Sequence, residues 1–284
     1  MKRLAFGLAC ISALLVAHGA SVVAHEFGHS LMAWMLGLKA DPLAIAWGHA
    51  SLLNLLTQYQ IGENVDYARA LAAGRFQAVA LVAAAGPFLV NGGLYAGLRI
   101  GLRRTGHKRH GNLRLLAFWL LFMNLGNLYA YVPIRTFASG GDIAHLCAAL
   151  HLSPWYVYAL VFPIVVEGLF DLYRTQLPGL YAGLKLSHGA RGFMSVLGSV
   201  LMFGYFGSVG LLSGDPVSRF LAGSSLLILP FAIVFLRPPR DAAQPPCKDL
   251  EQVPGACSRS YTTLLQGEAY SRLRDSSLLR RPST

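Results

Sequence analysis

The sequence predicts an all-α integral membrane protein with about six transmembrane helices. Of its 284 residues, 54% are hydrophobic and only 13% are charged, about half the charged fraction of soluble domains. A helix needs about 20 apolar residues to cross the hydrocarbon core of a membrane. Six stretches of roughly this length or longer carry almost no charge, and they lie at 4–38, 76–98, 115–134, 143–166, 192–212 and 220–236.

The basic residues predict how these spans are oriented. The net charge is +11, and 19 of the 24 Lys and Arg residues fall in the segments that lie inside if the N-terminus is inside. Because inner segments of membrane proteins are enriched in Lys and Arg, we predict that both termini lie in the cytoplasm. We expect the membrane to be a bacterial inner membrane. Topology therefore explains the positive charge, and we predict no nucleic-acid partner.

The composition divides the chain into three predicted parts. Residues 1–150 hold three spans and the motifs described below, and residues 151–236 hold three further spans. Residues 237–284 are rich in Pro, Arg and Ser, which predicts a cytosolic and largely disordered basic tail. The four cysteines form no C-x-x-C pair, so no thiolate zinc site is indicated.

The first span contains the pattern H-E-x-x-H at residues 25–29. On a helix, His25 and His29 share a face and can bind one Zn²⁺ through their imidazoles. Glu26 lies beside them and can take a proton from a water whose pKa the metal lowers. These polar groups are costly inside an apolar span, which favours a role in chemistry. The alternative is a set of hydrogen bonds among helices without a metal.

A catalytic zinc needs a third protein ligand and an open fourth position. We predict Asp142 as this ligand. The first and third spans cross the membrane in the same direction, so His25, His29 and Asp142 all lie toward the same end. The adjacent Gly140 and Gly141 allow a backbone turn that brings the carboxylate back toward the membrane.

Other roles remain open for these and neighbouring residues. Asp142 can instead be the N-cap of a helix that begins at Ile143, with His145 or Glu167 as substitute zinc ligands. Glu167 and Asp171 lie four residues apart after Pro163. They can line a polar path or simply mark the end of the fourth span.

The second span contains Gly86 and Pro87. Proline removes a backbone donor and kinks a helix. We expect either a broken helix with an unwound edge for a substrate strand, or a packing kink in which Asn91 bridges helices.

Together these motifs resemble the site-2 protease family of intramembrane zinc metalloproteases. The matching elements are HEFGHSL at 25–31, AGPFLVN at 85–91, and the segment from Asn127 through Pro133 to Asp142. They cover residues 20–145, which the resemblance identifies as a three-helix catalytic core. The last three spans and the tail match nothing specific.

The resemblance implies a function and roles for the residues. The three ligands named above would bind Zn²⁺, Glu26 would be the general base, and Asn91 or Asn127 would hold substrate or the developing oxyanion. The implied reaction is zinc-dependent cleavage of a membrane-embedded or juxtamembrane peptide bond in a membrane protein.

Two other functions are compatible with the sequence. A non-proteolytic relative would keep the fold, with or without the metal, as a membrane scaffold or chaperone. A transporter would use Glu167, Asp171 and the histidines as an ion path, but it should show paired broken helices in two related halves. Only one such break is indicated, at Pro87.

Overall fold

The protein is described here by a computed structural model that covers residues 3–105 and 111–236. The predicted basic tail lies outside these described residues. Within them the chain is helical and contains no strand; the one β-type pairing there is an isolated antiparallel bridge between Ala46 and Gly62. The α-helices of these ranges are α1 (Arg3–Met35), α2 (Leu52–Thr57), α3 (Tyr67–Ala72), α4 (Phe76–Ala84), α5 (Gly93–Thr105), α6 (Gly111–Tyr129), α7 (Asp142–Leu150), α8 (Pro154–Asp171), α9 (Leu177–Gly183), α10 (His188–Ser199) and α11 (Pro216–Phe235).

Wider π-helical turns join α4 to α5 at Ala85–Gly92 and α8 to α9 at Leu172–Gln176. Two further π turns extend α6 at Ala130–Ile134 and α10 at Val200–Phe206, and a short 3₁₀ helix follows at Val209–Leu212. The joined helices form segments long enough to cross a bilayer. Six segments in the described ranges have the necessary length and apolar composition, namely Leu4–Met35, Phe76–Arg104, Gly111–Ile134, Pro154–Gly183, His188–Leu212 and Pro216–Phe235. We refer to them as the first to sixth spans. They are consistent with an integral membrane protein, as the sequence predicts.

The fourth span begins later than the sequence predicts. The apolar stretch 143–166 is divided because α7 ends at Leu150, followed by His151 in the left-handed region with φ of 54°. Ser153 then caps α8, and Pro154 occupies its first turn, where a missing N–H costs nothing. Since α7 is too short to span a membrane, it packs instead along α4 at the start of the second span.

Pro87 does not unwind the second span. The helix continues through the π-helical turn Ala85–Gly92 into α5. A π turn is a recognised way to absorb an interruption of the hydrogen-bond ladder without breaking the helix. The predicted unwound edge is therefore absent from this part of the chain, and Asn91 bridges helices as the alternative expected.

The loop between the first two spans is tied to the end of α1 by a lysine. The Lys39 ammonium donates to Ser30 Oγ at 2.7 Å, to the Ala44 carbonyl at 2.8 Å and to the Glu63 carbonyl. Burial lowers the pKa of Lys39, although the neighbouring carboxylates of Glu63 and Asp41 oppose this effect. One cation thus joins both ends of the loop, and it brings Glu63 near the HExxH turn of α1.

The third span is the central helix of the described bundle, with 78% of its most apolar window buried. Its aromatic side chains Trp119 and Phe122 belong to a buried core that extends to Met202 and Phe206 of the fifth span. At Gly126 the two spans approach closely, because a Cβ there would lie 2.2 Å from the ring of Phe206. Glycine at this position therefore permits the contact.

Replacing Gly126 by Ala should destabilise the protein by about 1–3 kcal/mol, the usual cost of an overpacked core. The matched control is Gly97→Ala, at an exposed helical position where a new Cβ meets nothing within 4 Å; it should leave stability equal or slightly higher. Thermal unfolding in detergent micelles measures both variants. Equal unfolding temperatures would contradict this account of the packing.

Candidate metal centre

The three predicted ligands meet at one point inside the protein. The Nε2 atoms of His25 and His29 lie 3.0 Å apart, and each lies 3.2 Å from Asp142 Oδ2. All three residues are buried. Ligand atoms held about 2.0–2.1 Å from one Zn²⁺ at tetrahedral angles would be roughly 3.3 Å apart. The three atoms thus form a buried group of suitable size to hold a metal ion.

Local structure explains how the carboxylate reaches the histidines. Asp142 is the first residue of α7, and Gly141 before it has φ of 91° and ψ of −175°. This backbone region is open essentially only to glycine. The Asp142 side chain turns to the two imidazoles, and Gly141 occupies the N-cap position. Asp142 is therefore not the N-cap of this helix.

A backbone carbonyl fixes the proton on His29. The Nδ1 atom of His29 lies 2.6 Å from the carbonyl oxygen of Val82, which can only accept a hydrogen bond. Nδ1 therefore carries the hydrogen. In the neutral ring, the Nε2 lone pair then faces Asp142. Such an outer partner is the usual device that orients a metal-binding histidine.

A relay of two asparagines fixes His25 in the same way. Asn124 Nδ2 donates to the Leu120 carbonyl at 2.7 Å, so its Oδ1 is free to accept from Asn91 Nδ2 at 2.8 Å. Asn91 Oδ1 is thereby left to accept from His25 Nδ1 at 2.5 Å. Because the Leu120 carbonyl can only accept, the donor in each hydrogen bond is fixed. Asn124 donates to Leu120, Asn91 donates to Asn124, and His25 donates to Asn91. This order leaves the Nε2 lone pair of His25 facing the other two ligand atoms.

The resulting arrangement brings three acceptor atoms together, namely the Nε2 atoms of His25 and His29 and Asp142 Oδ2. The Asp142 carboxylate and the two imidazole lone pairs lie within 3.2 Å of one another, and a cation between them would satisfy these acceptors. A proton can be shared by two of these atoms, whereas one metal ion satisfies all three. Two imidazoles and a carboxylate are also a known ligand set for catalytic zinc.

Gly86 provides the space for such an ion. A Cβ at this position would lie 2.2 Å from His29 Nε2 and 2.6 Å from His25 Nε2. Any side chain here would therefore occupy the volume toward which the ligand atoms point. Gly86 thus has a steric role at the candidate metal centre, which neither of the two roles considered for the Gly86-Pro87 pair from the sequence included.

Glu26 lies at the edge of the cluster and is half-buried. The charged groups that act on it are Glu63, His29 and Asp142. Glu63 reaches it from the loop that Lys39 holds, and Tyr67 places its buried hydroxyl near the same carboxylates. Burial, reinforced by Glu63, raises the pKa of Tyr67. A second carboxylate beside the predicted base was not expected from the sequence.

Tyr131 is a further polar group that sequence reasoning missed. Its ring stacks on His25 with a centroid distance of 5.4 Å and an interplanar angle of 9°, and its hydroxyl lies 3.1 Å from His25 Nε2. Nothing in the sequence distinguishes it from Tyr129, whose hydroxyl instead donates to Ser225. Both tyrosines lie inside the Asn127-to-Asp142 element, so their position in the sequence does not separate them.

The structure places the remaining candidates elsewhere. Among the described residues, the side chain of Asn127 makes no hydrogen bond to the cluster, and Asn124 takes the place next to Asn91. His145 stacks on Tyr67 at 4.2 Å. Glu167 is paired with Arg99. The two substitute ligands therefore have other partners.

Each of the single variants His25→Ala, His29→Ala and Asp142→Ala should abolish stoichiometric zinc binding, because two ligands do not complete the site. Wild-type protein should carry about one zinc per chain. Elemental analysis of purified protein measures the ratio. His145→Ala is the matched control, and we expect it to retain zinc. Full zinc content in the Asp142 variant would refute the assignment of the third ligand.

Gly86→Ala should lower zinc affinity by at least about tenfold, the low end of what loss of an outer-shell partner costs, because the new methyl group enters the space between the imidazoles. Gly93→Ala on the same span is the control, since a Cβ there meets nothing within 4 Å. Competition with a chelator gives both affinities. Equal affinities would show that the cluster does not enclose the metal at this point.

The comparisons with known proteins identify no family for this chain. No protein-family model, curated protein or solved structure matches the chain. The resemblance of residues 20–145 to the site-2 proteases therefore stays a prediction, carried by the motifs. What the structure adds is the buried group His25, His29 and Asp142 and its capacity to hold a metal ion.

Proposed function

We propose that the protein is an intramembrane zinc metalloendopeptidase of the site-2 protease type. The observation that carries this proposal is the convergence of two imidazoles and one carboxylate beside a glutamate on the same helical turn. A site built only for structure would need no carboxylate at its edge. Glu26 adds the proton acceptor that hydrolysis requires.

The depth of the cluster supports a membrane-embedded or juxtamembrane substrate. His25 and His29 precede the end of α1 at Met35 by ten and six residues, or roughly 15 and 9 Å along the helix axis. α1 has 33 residues and is about 50 Å long, whereas a hydrocarbon core is about 30 Å thick, so the cluster would lie near one face of the core, within reach of a membrane-embedded or juxtamembrane peptide bond. A transmembrane substrate must unwind there, because a helix hides its carbonyl groups.

The chain's own side chains account for the proton transfers. A zinc ion held by His25, His29 and Asp142 would act as a Lewis acid and lower the pKa of a nearby water toward about 7. Glu26 is the residue that would take a proton from the attacking water as the water oxygen adds to the peptide carbonyl carbon. The C–N bond then breaks, and Glu26 delivers the same proton to the leaving amine. The products are a free carboxyl group and a free amine, which balances the addition of one water.

Asn91 and Tyr131 both contact His25, and we assign them different roles. Asn91 is already occupied by His25 and Asn124, so we assign it to holding His25 in the metal-binding orientation. The Tyr131 hydroxyl is the nearest remaining donor to the cluster, at 3.1 Å from His25 Nε2. It is placed to donate to the carbonyl oxygen as negative charge develops there.

The decisive variant is Glu26→Gln, which keeps the shape of the side chain and removes the base. We expect normal zinc content and a fall in the cleavage rate of about 10²–10⁴-fold, the usual contribution of a general base. The assay is cleavage of single-span membrane peptides by purified protein in detergent or proteoliposomes. Asp142→Ala serves as the companion, because it should lose zinc and cleavage together.

Two results would contradict the proposal. Undiminished cleavage by Glu26→Gln would remove the glutamate from the reaction. A wild-type protein that binds zinc but leaves every peptide intact, with a Glu26→Gln strain that behaves as wild type while a deletion strain does not, would instead indicate a scaffold or chaperone.

A further inference from the structure

A basic groove lies at the opposite end of the spans from the metal centre. Two neighbouring cavities of about 240 and 490 Å³ both contact Arg103 and Thr175. They occupy the end of the second span, the beginning of the third and the second half of the fourth. We define the basic groove by the charged and hydroxyl side chains that line these cavities, namely Arg103, Arg114, Glu167, Asp171, Arg174 and Thr175.

The carboxylates of the groove are already paired with arginines of the second span. Arg99 Nη1 donates to Glu167 at 2.8 Å, and Arg99 Nε lies 2.9 Å from Asp171 Oδ2. Arg103 also pairs with Asp171. Within the described part of the chain, Arg99, Arg103 and Arg174 therefore face two carboxylates. The groove keeps a positive excess after its internal ion pairs are formed.

Arg174 is the cation best placed to meet a ligand. It is exposed, and its recorded contact in the described structure is the ring of Phe170, with the guanidinium carbon 5.6 Å from the ring centroid. Thr175 beside it is exposed and offers a hydroxyl group. A planar guanidinium with a neighbouring hydroxyl is suited to the oxygens of a phosphate group.

An apolar surface continues from the groove along the fourth span. The outer face of α8 exposes Leu160, Ile164 and Phe170 by 73%, 60% and 58% of their surface. Residues 160 to 174 cover roughly 21 Å of helix, which is comparable with the length of an acyl chain within one leaflet. Charge at one end and exposed apolar side chains along the remainder match the two parts of a phospholipid.

We propose that the basic groove binds the phosphate headgroup of one anionic phospholipid, whose acyl chains lie along the exposed face of α8. Basic pockets between transmembrane helices are suitable sites for anionic headgroups. A lipid with a positively charged amine would place that amine beside the excess arginine charge, so the groove should prefer a headgroup that carries only the phosphate charge. The bound lipid would contact both the second and the fourth span.

The test is native mass spectrometry of the purified full-length protein with added phosphatidylglycerol or phosphatidylcholine. We expect one phosphatidylglycerol retained per chain and a weaker association of phosphatidylcholine. Arg174→Gln should weaken phosphatidylglycerol binding about fivefold, the factor that corresponds to ~1 kcal/mol per basic side chain near an anionic membrane surface. The control is Arg104→Gln, which removes another exposed charge at the same end of the spans. Arg104 lines neither cavity, so this variant should retain the lipid.

Three results would overturn the proposal. The first is equal loss in the Arg174 and Arg104 variants, which would indicate general surface charge. The second is equal retention of both lipids by the wild type. The third is displacement of phosphatidylglycerol by millimolar inorganic phosphate together with binding of phosphate alone, which would make the ligand a soluble anion. Thermal unfolding of both variants without added lipid confirms that each is folded.

Discussion

The lone pairs of His25 and His29 and the carboxylate of Asp142 point into one small volume of an apolar protein, at separations of 3.0 to 3.2 Å. Acceptors this close repel one another where water cannot screen them. A cation between them would remove this repulsion, and the group has the size to hold one metal ion. Much of the surrounding structure keeps these atoms in place, since the Val82 carbonyl and the Asn91–Asn124 pair act on the far side of each ring.

Two glycines and one short helix make this convergence possible. Gly86 leaves the cavity open from the second span, and Gly141 allows the backbone turn into α7. Because α7 is too short to cross a membrane, it packs along α4 and presents Asp142 from the side. The candidate metal centre therefore draws on three segments that are far apart in sequence. The first span supplies the two imidazoles, the second span supplies the space at Gly86, and α7 supplies the carboxylate.

The sequence was most informative where a rule is local. The four-residue spacing of the histidines and the six apolar stretches depend only on helix geometry and hydrophobicity. The parity of the spans also predicted that Asp142 lies at the same end as His25. The start of the fourth span was missed because hydropathy does not register a Ser153-Pro154 helix start, although that pair is itself a known signal.

Other features depend on tertiary structure and could not be derived from a local pattern. Pro87 indicated a break, but its neighbours accommodate a π turn. Asn127 and Asn124 lie one helical turn apart, and only the packing of the third span against the second decides which of them meets Asn91. Tyr131 and Glu63 reach the cluster through a stacked ring and a folded loop, neither of which has a fixed sequence spacing.

The central claim is that one metal ion joins these three side chains. X-ray absorption spectroscopy at the zinc edge of the purified protein tests it most directly, because it reports the ligand atoms around the metal. The account predicts nitrogen and oxygen ligands at about 2.0–2.1 Å, with an imidazole signature from two histidines and no sulfur. A sulfur ligand at about 2.3 Å, or an imidazole signature that persists in the double variant His25→Ala/His29→Ala, would contradict it.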